Sequence, residues 1–442
     1  MKLSDNVSSI KNRYFSVKKS FDNGFYNGVK LYCYRNDYHD ELIILMNKIN
    51  SLSKNNLSDI DCYFLEHLKT FIIKECKALS KNNEDYLIKK YYFLFFQDSI
   101  KNPHFDEELL VGFFKFIESI KIREASLSKT SYKILEILNN WFMECNKDTI
   151  IFDRFLFKKN TDIKSNVANY EKNPFSREDL YVYLQKIERE LLTSLENISS
   201  INNIGNIKVI SKEEILEYIS NSLFKFSKLT GEEIKLEIIN NNFSAIIPDA
   251  GYLSKQSLNT DYHVLALNNS FLDTHKTERQ LKLLMSHEIH PGHMYHSITS
   301  LKSDFSDFNE LGDNKLVSEG WAIYSEYMTG EEDPSLRELF LIQYSRRCVN
   351  ALYSINLLLG KSKLECSSYI ENLLSRFDIN HGYLKLIKYG KNFNLNSINY
   401  IYGFISIKEL LDSYQVTPEV FMKFGAIDIN IIKKNLEFEK NK

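Results

Sequence analysis

Proline and glycine are scarce in this chain, 6 and 15 among 442 residues. So few helix breakers and turn formers argue against many short strands and for long helices. Long apolar runs are missing too. The densest, Tyr-Tyr-Phe-Leu-Phe-Phe at 91–96, falls far short of the roughly 20 residues that a membrane-spanning helix needs, so no membrane partner is expected. The opening residues, Met-Lys-Leu-Ser-Asp-Asn-Val-Ser, lack the apolar stretch of a secretory leader. No charge of one sign dominates: 56 Lys and Arg stand against 58 Asp and Glu. That balance gives no bulk attraction to nucleic acid or to a membrane surface. No Cys-x-x-Cys pair occurs among the 6 cysteines, at 33, 62, 76, 145, 348 and 366. Scattered thiols of this kind fit a reducing compartment, and a cytoplasmic location is expected.

What is present is helical periodicity. Apolar residues recur at i, i+3 and i+4 through the first 160 residues, and 106–122 shows the pattern well. A polar stretch ending in Asn-Pro, 161–174, is the expected linker between a helical N-terminal region (1–160) and a second region (175–442). The second region opens with Ser176 as a predicted N-cap, and Ser211 and Glu214 stand at capping-box spacing. Two short alternating segments, 235–239 and 261–270, predict strands. Helices are predicted over 277–290, 316–328, 336–360 and 363–376. The expected fold class is mainly α with a small β element.

Residues 283–297 read Leu-Leu-Met-Ser-His-Glu-Ile-His-Pro-Gly-His-Met-Tyr-His-Ser. In a helical HExxH motif the two histidines lie on one face and reach one zinc, while the Glu sits near the metal-bound water. Here the run is His287-Glu288-Ile289-His290-Pro291-Gly292-His293. At about 100° per residue, an ideal helix would turn His293 roughly 240° away from His287. Pro291 cannot donate to the His287 carbonyl and crowds it, and Gly292 tolerates unusual backbone angles. Pro-Gly is therefore read as an insertion that bulges the helix and returns His293 to His287. His290, which needs no bulge, is the competing ligand. A third protein ligand is expected, and the helix at 315–328 offers Glu319, with Glu326 two turns later on the same face.

HExxPGH followed by EGWAxYxE resembles the bacterial family known as domain of unknown function 885, over about 248–410. That family is mostly helical and regarded as zinc peptidases of the HExxH-plus-glutamate type. The resemblance implies a helical zinc-peptidase-like architecture with one Zn2+ per chain on His287, His293 and Glu319, and Glu288 as general base. The chain departs from the family at Met294, Ala351 and Ile355, where the family commonly carries His, Asp and His. Tyr400 and Gly403 fit its last tyrosine motif.

Other assignments follow with plainer alternatives beside them. Glu326 either orients a ligand histidine or faces solvent. Arg347 either binds a substrate carboxylate or pairs with a structural acid. Tyr400 either donates to an oxyanion or packs. The strand at 263–269 either offers an edge to an extended substrate, with Asn268 near it, or is core. The expected activity is hydrolysis of short or unfolded peptides, with the N-terminal helices walling a cleft by analogy with other helical zinc peptidases. The alternative is a degenerate member that binds a peptide without cutting it. Oligomeric state is open.

Overall fold

The computed structural model describes residues 3–26, 31–52, 57–80, 88–89, 92–93, 96, 131, 134–135, 175–200, 208–239, 247, 249–258, 260–273, 276–309 and 314–440. The helix expected over 106–122 and the linker expected over 161–174 lie outside them. Two compact units divide the chain: Met1–Lys172 with Ile238–Asp249, and Asn173–Glu237 with Ala250–Lys442.

In the first unit, α1 (Asp5–Tyr26), α2 (Leu31–Ser51) and α3 (Asp59–Ser80) pack in succession. Ile10, Tyr14, Leu42, Phe64, Leu68 and Ile72 are buried among them. The hydroxyls of Tyr14 and Tyr38 both donate to Glu75, so these buried phenols are satisfied by one carboxylate.

Helices predominate in the second unit, as the sequence predicts. They are α4 (Arg177–Ser199), α5 (Lys212–Thr230), α6 (Glu278–Glu288), α7 (His293–Leu301), α8 (Lys315–Glu332), α9 (Pro334–Leu358), α10 (Lys363–Leu374), α11 (His381–Lys388), α12 (Leu395–Tyr414), α13 (Pro418–Phe424) and α14 (Ile429–Lys440). Their starts are chemically marked. Ser176, Ser211, Thr277 and Ser362 each close a capping box with Asp179, Glu214, Gln280 and Glu365. Asp333 caps α9, and Pro334 fills its first turn, where a missing N–H costs nothing. Gly231 ends α5 in the left-handed conformation.

The strands are short. β2 (Ile234–Ile239), β3 (Ala250–Leu253) and β4 (His263–Asn268) form a sheet in the order β2-β4-β3, with β3 antiparallel to β4 and Tyr252 opposite Leu265. β4 is therefore the central strand, buried along its whole length. Of the two readings of 263–269, core is the one met, because β4 has a partner on each side; β3 carries the edge. A second ladder pairs β1 (Val209–Ile210) with β5 (Lys276–Thr277), which sets Thr277, the cap of α6, in place.

Two apolar clusters build this unit. One joins α4, α8, α9, α10, α11 and α12; the other joins α5, β4, α6 and α7. α6 serves both, since Leu283 enters the first while Leu281 and Met285 enter the second. Each fully buried Leu or Ile stabilises by about 1.5–3 kcal/mol, so the helix that ends in His287 and Glu288 is held on two faces.

Candidate metal centre

α6 stops at Glu288 and α7 starts at His293. The helix expected over 277–290 is present as α6, but the Pro-Gly bulge expected within one helix is instead a break that separates two. The reason is the one anticipated for a bulge, carried further. Pro291 has no N–H for the His287 carbonyl, and the peptide His290–Pro291 is cis. A new helix begins when the Tyr295 N–H finds the Ile289 carbonyl and the His296 N–H finds that of Gly292, each at 3.0 Å. A Cβ at Gly292 would overlap the His287 carbonyl oxygen, so the close approach at this break requires glycine.

The break brings His287 and His293 together, with ring centroids 4.9 Å apart and planes at 86°. From α8, Glu319 sets Oε2 3.4 Å from His293 Nε2 and 3.8 Å from His287 Nε2. One ligand atom from each of the three lies within 4.8 Å of the others, and this group can hold a metal ion. Glu319 Oε2 is buried and accepts no hydrogen bond. An orphaned buried carboxylate oxygen is costly unless something cationic meets it. Burial pushes the Glu319 carboxyl up, but His293 and His287 outweigh it and hold it down at about 2. Two imidazoles and a carboxylate are also the donor set of metal sites that leave one position open for chemistry. The residues present thus fit a metal.

A layer behind the ligands orients them. His287 Nδ1 lies 2.7 Å from Glu326 Oε1, and the other oxygen of Glu326 accepts from Arg347 on α9 at 2.8 Å. Glu326 is 2% exposed. Burial raises its carboxyl, yet the Arg347 charge and the His287 hydrogen bond hold it at about 2. The alternatives left open for Glu326 and Arg347 are thus both met by a structural pairing between them. Glu288 is buried, and its Oε2 accepts from the Tyr252 N–H at 3.1 Å. Burial raises its carboxyl, with the two histidines opposing. The Tyr400 ring lies 6.3 Å from that of His287, and its hydroxyl is pushed far up by burial and by Glu319.

Two glycines place Tyr400. A Cβ at Gly320 would collide with the Gly403 backbone, and a Cβ at Gly403 would collide with the Leu316 carbonyl. α8 and α12 therefore touch backbone to backbone, next to Glu319 on one helix and one turn from Tyr400 on the other.

Other assignments fall differently. His290 turns away, its ring 4.6 Å from Tyr295 and 5.8 Å from Phe226. Asn268 caps the short helix that follows β4, accepting from the N–H and hydroxyl of Ser270. Met294, Ala351 and Ile355 are fully buried in the apolar clusters. Sequence reasoning missed Tyr252, which only the fold brings to Glu288, and the role of Trp321, whose indole N–H donates to the Pro291 carbonyl at 2.8 Å. Cys62, Cys76, Cys348 and Cys366 are free. No described helix is long and apolar enough to cross a membrane.

No protein-family model and no curated protein matches the chain. Solved structures do. A "putative lipoprotein" from Colwellia psychrerythraea is 12% identical, with a TM-score of 0.56 over 99% of this chain and 100% of that one. A "putative lipoprotein of unknown function" from Shewanella oneidensis is also 12% identical, with a TM-score of 0.61 over 97% of this chain and 99% of that one. At such identity the likeness is one of fold alone.

Proposed function

We propose that this chain is a zinc-dependent metallopeptidase that hydrolyses short or unfolded peptides in the cytoplasm. The observation that carries the reading is the unpartnered Glu319 Oε2 facing two imidazole nitrogens, with a second buried carboxylate, Glu288, directly after the first histidine. His287, His293 and Glu319 would hold the ion. Zinc bound there supplies Lewis acidity toward a peptide carbonyl and makes water a nucleophile near neutral pH.

The rest is done by the chain. Glu288 accepts the proton of the attacking water and passes it to the leaving amine, a role served by a carboxyl that burial has made more basic. Tyr400, kept protonated by burial and by Glu319, donates to the carbonyl oxygen as it gains charge. Arg347 and Glu326 hold the His287 ring in one orientation. The outer side of β3, which has no further strand among the described residues, is where an extended peptide would lie, beside the Tyr252 amide that Glu288 already holds.

The test is mass spectrometry of a mixed peptide pool incubated with the zinc-loaded protein and with Glu288→Gln. Products from the wild type alone support the reading, and their ends show which bond is cut. Zinc and peptide retained without any product would replace it with the non-cleaving reading.

A further inference from the structure

Glu288 is the last residue of α6, and its carboxylate is held from outside the helix. The holder is the backbone N–H of Tyr252, at 3.1 Å. Tyr252 lies on β3, and the order β2-β4-β3 puts β3 at the edge of its sheet. A backbone amide on that edge faces away from the ladder, and this one is spent on the carboxylate.

The phenol of the same residue is tied down elsewhere. Its oxygen is 2.8 Å from Nδ1 of His263, on β4, and 3.1 Å from Oγ of Ser297, on α7. Its ring stacks on His263 at 5.7 Å between centroids. His263 is 1% exposed, and its Nε2 faces Glu232 at 3.7 Å. Glu232 is itself pinned by Lys255 at 2.7 Å and Lys302 at 3.1 Å. Ser297 stands one helical turn after His293 on the same face of α7. A single side chain thus joins the central strand, the edge strand and the helix of the second histidine, while its own amide reaches the buried carboxylate.

We propose that Tyr252 is a positioning residue: its N–H aims the Glu288 carboxylate, and its phenol, gripped by His263 and Ser297, fixes the strand that carries that N–H against the helix that carries His293. Only the kinetic consequence rests on the peptidase reading. Tyr252 touches no reacting atom; it acts through Glu288. A misplacement of about 1 Å at a catalytic group can cost on the order of 100-fold in rate, and loss of the phenol leaves the amide present but less well held, so the expected loss is smaller.

The experiment combines hydrogen exchange at the residue-252 amide with steady-state kinetics of zinc-loaded wild type, Tyr252→Phe, Ser297→Ala and Glu288→Ala. Exchange at residue 252 should quicken about tenfold or more in all three variants, measured with metal removed as well as bound. Tyr252→Phe should lower kcat about tenfold with KM and metal content unchanged. Added to Glu288→Gln, it should cost nothing more, because the group it positions is already disabled; a merely structural defect would add. Unchanged exchange at residue 252 in Tyr252→Phe and Ser297→Ala overturns the proposal, as does a raised KM with unchanged kcat. Should Tyr252→Phe fail to fold, Ser297→Ala alone decides it. Should the wild type cut no peptide, the peptidase reading falls and the exchange measurement still decides the positioning role.

Discussion

The indole N–H of Trp321 is bonded to the carbonyl of Pro291. One hydrogen bond thus links the break between α6 and α7 to the helix that delivers Glu319. Trp321 is fully buried beside His296 and Phe421, and it lies two residues from Glu319. The Trp in the Glu-Gly-Trp motif holds the geometry of the His-Glu-x-x-Pro-Gly-His motif.

Trp321→Phe should leave the Pro291 carbonyl without its donor. A buried acceptor left unpaired costs about 1–3 kcal/mol. Thermal unfolding should show the loss, and metal content after dialysis should fall with it.

His293→Ala should abolish tight zinc binding, whereas His290→Ala should leave it near the wild-type level. Isothermal titration with zinc distinguishes the two. The opposite pattern would return the ligand role to His290 and contradict the geometry of the break.

Glu326→Gln should weaken zinc binding about 10- to 100-fold, the usual effect of losing a carboxylate behind a ligand histidine. It also strips Arg347 of its ionic partner. Competition with a chromophoric chelator measures the affinity.

Gly320→Ala or Gly403→Ala should each separate α8 from α12, since the added carbon meets backbone. Overpacking of this kind costs about 1–3 kcal/mol or more. In a variant that still folds, kcat should fall more than KM rises, because Tyr400 moves relative to Glu319.

Acid should destabilise the protein well before its carboxylates titrate. Burial depresses His263 to about 4 and His296 to about 3. Both stay neutral in the fold and take up a proton on unfolding at an ordinary value near 6.5. The unfolded chain then binds more protons below pH 6.5, so stability drops as pH falls from there toward about 4 and about 3. Each group contributes a slope approaching about 1.4 kcal/mol per pH unit. Urea titrations at pH 7.5 and 5.0 should show it, and His296→Phe should flatten the dependence if it folds.

Local signals were readable from sequence, and pairings between distant segments were not. The N-cap at Ser176 and the capping box at Ser211 are written within four residues, and the structure forms both, adding Asp179 to close a box at Ser176. The grouping of His287, His293 and Glu319 was implied by the resemblance of the two motifs to a zinc-peptidase family, whereas spacing alone left His290 open against His293. Strand order is different. Alternation marked 261–270 as a strand, but whether it lies centrally or at an edge depends on partners up to 30 residues away, and side-chain pattern does not encode that. Asn268 looked like a ligand-facing residue at a strand end; its oxygen is taken by the next turn. Arg347 could have met a substrate carboxylate or a structural acid, and only the packing of α9 on α8 selects Glu326. The glycine at 320 carried a signal that went unread: Gly beside Trp within a helix marks a place where another backbone comes close.

The three glutamates of the site, two buried and Glu319 half-buried, have a consequence in charge balance. Glu288, Glu319 and Glu326 are accompanied by one guanidinium, that of Arg347. With the imidazoles neutral, as metal ligands must be, three carboxylates less one cation leave two negative charges in a poorly solvated space. Electroneutrality therefore selects the valence of the guest before coordination geometry selects its identity. A monovalent ion undercompensates, a trivalent ion overcompensates, and a divalent ion brings the sum to zero.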